Sequence, residues 1–278
     1  MLLITLGYGV NEWIRQIVRE ERQRSEGHKE TPEPGSTTAI AGLVREATNE
    51  EFYRYFSKRY GFAYEELLVH GTLNEHGAVK VWRKSKVIAH VAGIDKLDQY
   101  LISESPDEKK IQVDLKCDTQ SKKITGDIQR VSSQELNLTI KISEPLMPND
   151  ELEFSVTETT PNSSMSMTKA ELDKRIASGK RFEYESFYWE ITRPTKQFQL
   201  KLIVPKTLKP EGRRFDVWYG RSRISHIQEF SRISDSKWFK VEPAGDQIEL
   251  TLDVMYPIPT LIYAIRFIPS DTETDAIH

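Results

Sequence analysis

The stretch LNLTIKISEPLMPNDELEFSV, residues 136–156, carries the pattern that decides the fold. Apolar and polar residues alternate over 136–142 and again over 152–156, which is the period of a half-buried β-strand. Pro145 and Pro148 separate the two runs, and a proline cannot donate a backbone hydrogen bond to a strand ladder. The stretch therefore predicts two strands with a proline-marked turn between them.

The same layout recurs further along the chain. Residues 199–218 repeat it closely, and residues 250–267 repeat it more loosely. Strands at short, regular spacing with turn signals between them indicate antiparallel sandwiches and not alternating β and α units. We therefore predict a mainly β protein with two antiparallel immunoglobulin-like β-sandwich lobes behind a helical N-terminal segment, the repeated units being hairpins. The layout resembles immunoglobulin-like domains over about residues 75–270 in architecture only, because the Cys…Trp…Cys signature is absent.

Changes in composition predict the domain organisation. The segments are an amphipathic N-terminal helix at 1–25, a flexible Pro/Gly-punctuated linker at 26–38, a helical aromatic-rich segment at 39–69, a first β-sandwich lobe at 70–160, a second β-sandwich lobe at 161–270 and a polar tail at 271–278. Shorter helices are expected at Asp95–Leu101 and, capped by Thr168, at Met167–Ser178.

Composition excludes several classes of protein. The chain has 278 residues, 38% of them hydrophobic and 29% charged, which is typical of a water-soluble globular protein. It has one cysteine, Cys117, which excludes an internal disulfide framework and a cysteine-based zinc site and favours the cytoplasm. We expect no transmembrane segment, because the apolar run near the N-terminus is far shorter than the roughly 20 residues that span a bilayer.

An apolar seam marks the first predicted helix. Its residues recur at helical spacing and are Leu6, Val10, Trp13 and Ile17. A helix this short is marginal in water unless it lies against something else. The seam therefore predicts a binding surface for a protein partner or a second copy, with peripheral membrane contact as a further possibility.

Interleaved aromatic and cationic residues fill the segment from Phe52 to Tyr64. Such a pattern is typical of packing aromatics with cationic neighbours, of protein interfaces and of single-stranded nucleic-acid grooves. We favour packing over a protein interface, and a protein interface over nucleic acid.

A basic stretch later in the chain is the second candidate site. Residues 193–240 include twelve basic and four acidic residues. Within the 206–223 stretch the candidate residues are Arg213, Arg214, Trp218, Tyr219, Arg221 and Arg223. Guanidinium groups bind phosphate or carboxylate with two hydrogen bonds, and a tryptophan can stack on a base. The alternative is a hairpin whose arginines pair with the preceding acidic strand.

Catalytic signatures are absent from the sequence. No Walker loop, dinucleotide-binding fingerprint, nucleophile elbow or His-Glu-Xaa-Xaa-His motif occurs. His70, His76 and His90 match no zinc-ligand spacing, so no metal or cofactor is expected. The leading hypothesis is a non-catalytic cytosolic binding or regulatory module that docks through its N-terminal helix and sandwich surfaces. The alternative is a sensor that binds an anionic small ligand or single-stranded nucleic acid, and a hydrolase with an unrecognised site is least favoured.

Overall fold

A computed structural model describes residues 46–102, 112–132, 135–179, 183–208, 210–219, 228–230, 238–259 and 261–270. The helices in these ranges are α1 (Glu46–Tyr60) and α2 (Lys169–Ala177), with a short 3-10 turn at Lys206–Leu208. The strands are β1 (Phe62–Leu73), β2 (Ala78–Ala89), β3 (Ile94–Ile102), β4 (Gln112–Cys117), β5 (Ile124–Ser132), β6 (Glu135–Leu146), β7 (Glu151–Ser164), β8 (Glu185–Glu190), β9 (Thr195–Pro205), β10 (Glu211–Tyr219), β11 (Gln228–Phe230), β12 (Phe239–Ala244), β13 (Gln247–Met255) and β14 (Leu261–Ile268).

The strands form three sheets. The largest has the order β12-β13-β9-β1-β2-β7-β4, the second β11-β10-β14-β8 and the third β3-β6-β5. Strands β1 and β9 pair in parallel, whereas the other described pairs are antiparallel. The prediction of a mainly β protein is confirmed. The strand order does not specifically support immunoglobulin-like sandwiches, and the large sheet takes strands from both predicted lobes.

The proline-marked repeats are corners between sheets, and the hairpin interpretation of them is wrong. Strand β6 belongs to the three-stranded sheet and β7 to the seven-stranded sheet, so these consecutive strands do not pair. Likewise, β9 and β13 lie in the large sheet, whereas β10 and β14, which follow them, lie in the four-stranded sheet. The physical reason is that a proline lacks the backbone donor that a hairpin ladder needs.

Two of the predicted helices need correction. The aromatic-rich segment is helical only as far as Tyr60, because Gly61 adopts a positive φ of 82° and the chain continues as β1. The 95–101 segment is part of strand β3, where it pairs with β6. The prediction near residue 168 is confirmed, because the side chain of Thr168 caps α2 by accepting a hydrogen bond from the backbone of Glu171.

The core lies on the inner face of the large sheet. Alternate residues of its strands are buried there, among them Val69, Val87, Phe154, Leu200 and Leu252. Residues of the other two sheets join the same cluster, including Leu138, Ile140, Tyr263 and Ile265. The opposite, outer face carries the polar members of the alternation, so the period of two separates core from surface.

A buried arginine sits where the three sheets meet. Arg83 of β2 is 1% exposed, and its Nη1 donates a hydrogen bond of 2.9 Å to Gln99 Oε1 of β3. Its Nη2 lies 3.7 Å from Glu158 Oε2 of β7, and its guanidinium stacks 4.9 Å from the ring of Trp189 in β8. One side chain therefore links the seven-, three- and four-stranded sheets.

Helix α1 is attached to the large sheet by a polar contact. Tyr53 donates a hydrogen bond of 2.8 Å to Glu65 Oε1, and Lys196 Nζ lies 2.9 Å from the other carboxylate oxygen. Burial raises the pKa of Glu65, but the hydrogen bonds from Lys196 and Tyr53 outweigh it, so the pKa lies below its ordinary value. The ionised carboxylate is therefore the form that holds the helix.

We expect the contribution of Glu65 to depend on pH. Because its pKa is lower in the folded state, the stabilisation is complete at neutral pH and is lost as the pH falls below the ordinary value of 4.5. The Glu65→Gln variant should therefore unfold at a lower urea concentration than the unmodified protein at pH 7, with the difference shrinking towards pH 3. The exposed Glu51→Gln on the same helix is the control. An equal difference at both pH values would contradict the assignment.

Candidate ligand-binding groove

The outer face of the large sheet aligns polar and aromatic side chains from six neighbouring strands in one row. Strand register places them in the order Thr251, Lys201, His70, Trp82, Thr157 and Asp114. The next row along the strands places Lys84, Ser155 and Lys116 side by side. Residues far apart in sequence thus share one surface.

A groove of about 600 Å³ opens on this face along strand β7. Its floor is formed by the small side chains of Ser155 and Thr157. Trp82 and Lys84 of β2 line one wall, and Asp114 and Lys116 of β4 line the other, with Leu115 and Asp118 completing the lining. The groove exists because β7 carries small residues between two strands that carry long ones.

The charges of the groove are mostly paired. Lys84 forms an ion pair with Glu153, and Lys116 Nζ lies 2.8 Å from Asp118 Oδ1. Both lysines are thereby drawn towards the same end of the groove. Asp114, at the other end beside Thr157, forms no ion pair with any residue that the structure describes. The groove therefore presents one carboxylate available to a ligand.

His70 supports the wall that Trp82 forms. The ring centroids of His70 and Trp82 are 5.1 Å apart, and His70 Nε2 lies within hydrogen-bond distance, 2.9 Å, of Gln199 Oε1. Burial lowers the pKa of His70 below its ordinary 6.5, although the hydrogen bond with Gln199 opposes this. The imidazole is therefore neutral at pH 7 and adds no positive charge next to the tryptophan.

A second cleft, of about 590 Å³, lies on helix α1. Glu51, Arg54, Tyr55, Lys58 and Arg59 line it, and Tyr55 is 60% exposed. Arg54 Nη2 lies 2.6 Å from Glu50 Oε1, so one of the cations is already paired within the helix.

The packing face of the same helix accounts for other aromatics of this segment. Phe56 is buried, and Arg193 stacks over Tyr60 at 5.2 Å and over Phe62 at 5.4 Å. Packing thus explains part of the interleaved aromatic and cationic pattern.

None of the candidate residues that the structure describes lines the groove. Leu6, Val10, Trp13, Ile17, Arg221 and Arg223 lie outside the described residues. The other four candidates belong to strand β10 and are Arg213, Arg214, Trp218 and Tyr219. In the pairing of β10 with β14, Arg214 is opposite Arg266 and Trp218 is opposite Ile262. Both candidate surfaces remain predictions.

Three residues with reactive or ionisable side chains, Cys117, His90 and Glu185, lie outside the groove. Cys117 ends β4 half-buried and packs against the core. His90 follows the end of β2, and its Nε2 is buried. Glu185 is buried and accepts hydrogen bonds from the backbone of Ser166 and from Arg175. No three His, Cys, Asp or Glu side chains in the described part of the chain are grouped as metal ligands.

Solved structures that are similar to this chain include peptidases. The chain is similar to an M1 zinc metallopeptidase from Deinococcus radiodurans, with a TM-score of 0.40 and 12% identity over 74% of this chain. A mutant of that enzyme bound to a Tyr-Ser-Ala substrate gives a TM-score of 0.41 at 12% identity, again over 74% of this chain. In both cases the match covers 42% of the other chain. No protein-family model and no curated protein matches this chain.

These neighbours correct the leading functional hypothesis. The expected cytosolic docking or regulatory module, with its alternative of an anionic-ligand or nucleic-acid sensor, is contradicted by these similar structures, which are peptidases. The expectation that the chain is not an enzyme stays a prediction. No helix among the described residues is both long and apolar enough to cross a membrane.

Sequence reasoning missed the groove, although it identified the strands that build it. The alternation over 78–82 and 111–117 predicted strands, and within it Trp82 and Asp114 share the outer face with lysines. A tryptophan at a polar position of an alternating strand is the signal that could have marked the site. The sequence did not show that β7 lies between β2 and β4.

Proposed function

We propose that this chain is a peptide-binding domain that holds an extended polypeptide segment in the groove along β7 and does not itself cleave it. The observation that carries the proposal is the wall-and-floor arrangement of Trp82, Thr157 and Asp114 across three adjacent strands.

The dimensions of the groove suit an extended chain. Its walls stand on strands β2 and β4, which are separated by β7, so their backbones are about 10 Å apart at the usual strand spacing. Side chains of an extended peptide repeat every two residues, about 7 Å, and so do the rows of the sheet. Every second side chain of a peptide lying along β7 would therefore contact the next pair of wall residues.

The lining has the mixture of groups that a peptide requires. Trp82 offers apolar area and an indole donor, Ser155 and Thr157 offer hydroxyl groups to peptide amides, and the charged wall residues include both signs. Ligand sites combine an aromatic or apolar surface with a few polar groups that set orientation.

The described residues of the groove bind a peptide but do not catalyse its cleavage. A peptidase needs an activated nucleophile or a metal-bound water within reach of the scissile bond. Ser155 and Thr157 on the groove floor have no histidine in the lining to act as a general base. The groove therefore holds a peptide without a group that attacks it.

Truncating Trp82 is expected to weaken peptide binding at least about tenfold, because buried tryptophans contribute disproportionately to binding energy. The measurement is fluorescence anisotropy of the full chain with short fluorescein-labelled Gly/Ser peptides carrying arginine, leucine or glutamate at alternate positions. At least one of these probes should bind saturably to the unmodified protein and more weakly to Trp82→Ala.

The matched control is Tyr188→Ala, which removes an exposed aromatic from strand β8 of another sheet. It should leave the affinity unchanged. Absence of saturable binding by all three probes would overturn the proposal, as would equal binding by Trp82→Ala and the unmodified protein.

A further inference from the structure

We propose that the groove selects polypeptides containing arginine or lysine and holds the cationic side chain between the ring of Trp82 and the carboxylate of Asp114. This inference rests on the proposed function and adds the chemistry of the ligand. A peptide in the groove would place one basic side chain above Thr157, the small residue between these two walls.

The charge distribution of the groove favours a cation. Lys84 is paired with Glu153 and Lys116 with Asp118, so neither lysine offers a free positive charge to an anionic ligand. Asp114, which is exposed, has no such partner among the described residues, so its carboxylate is the one charge among the lining residues that is left unpaired. A cationic group of a ligand would form an ion pair with Asp114, whereas the other charged side chains of the lining already have partners in the protein.

Trp82 suits the same ligand group. Cations are attracted to the face of an aromatic ring, and tryptophan is the strongest of the aromatic side chains in this respect. The long methylene stem of arginine or lysine also packs on an indole while the charged end reaches a polar group. The neighbouring His70, half-buried and hydrogen-bonded with Gln199, is neutral at pH 7 because its pKa is lowered, and so does not repel the ligand.

The spacing of the two walls matches a basic side chain. Trp82 and Asp114 stand opposite the same residue of β7, so their backbones are about 10 Å apart, at twice the strand spacing. Both side chains line the groove, and an extended guanidinium or ammonium group would fit between them. A carboxylate accepts two parallel hydrogen bonds from guanidinium, so arginine should bind more tightly than lysine.

The test compares a Gly/Ser peptide carrying one arginine with the same peptide carrying citrulline, the uncharged isostere. Both are fluorescein-labelled and titrated by anisotropy against the full chain. We expect the arginine peptide to bind at least about tenfold more tightly, and the two to become equal in Asp114→Asn. Asp253→Asn, on β13 of the same outer face, is the matched control and should keep the discrimination.

The outcomes separate this inference from the proposed function. If arginine and citrulline peptides bind equally and both lose affinity in Trp82→Ala, selection of a cation is wrong while peptide binding stands. Tighter binding of a glutamate peptide would also overturn the inference. If none of the peptides binds, the proposed function itself fails. Discrimination that persists in Asp114→Asn would show that another group holds the cation and would overturn the assignment.

Discussion

Replacing Arg83 with methionine is expected to destabilise the protein by about 3–5 kcal/mol, because Glu158 would remain buried without its cation. Burial raises the pKa of Glu158, and Arg83 opposes that rise. Without Arg83 the folded state favours the protonated carboxyl, so the loss should be larger at pH 8 than at pH 5. Urea unfolding followed by circular dichroism at the two pH values measures both effects.

The matched control removes both charges together. The double variant Arg83→Met with Glu158→Leu leaves no unpaired buried charge and should recover much of the lost stability. Glu158 is 5% exposed, so an apolar side chain suits its surroundings. A loss of less than about 1 kcal/mol in the single variant, the range of an exposed ion pair, would show that the arginine is not essential to the junction of the three sheets.

Gly77→Ala is expected to have the second large effect on stability. Gly77 adopts a φ of 79°, and a Cβ at this position would collide with the backbone oxygen of Met165. The left-handed backbone alone costs a residue with a side chain about 1–2 kcal/mol, and the collision with a backbone atom adds to that cost. Because Met165 also donates its backbone N–H to the carbonyl of Gly77 at 2.8 Å, relieving the collision would strain this hydrogen bond.

Gly93→Ala separates the two contributions. Gly93 has a similar φ of 85°, but nothing lies within 4 Å of a Cβ built there. Thermal or urea unfolding should therefore show a clearly larger loss for Gly77→Ala than for Gly93→Ala. Equal losses would mean that the chain after β7 moves aside without cost and that only the backbone conformation matters.

Local patterns were sufficient to predict most strands. The alternation at 136–142 and 152–156 corresponds to β6 and β7, and Thr168 caps α2 as its spacing predicted. Such features depend on residues within a few positions of one another. The pairing of β1 with β9 could not be predicted in the same way, because its register partners, for example His70 and Lys201, are more than a hundred positions apart.

The buried arginine shows a second limit of sequence reasoning. Arg83 stands at an inward position of β2, in register with Val79, Val81, Ser85 and Val87, where the pattern calls for an apolar residue. In the sequence it is surrounded by lysines and is indistinguishable from a surface residue. Its burial follows from three sheets meeting at one point, which no local pattern contains.

The proline corners have a consequence for how the chain folds. Since β6 and β7, β9 and β10, and β13 and β14 do not pair with each other, these neighbours in sequence cannot nucleate as isolated hairpins. The large sheet instead has to bring β1 beside β9 across more than a hundred residues before its centre is complete. Chains dominated by such distant pairings fold in milliseconds to seconds, roughly, and not in microseconds. During synthesis, β1 and β2 emerge well before β9. The central strand of the sheet, β1, therefore has one edge unpaired until β9 has been synthesised.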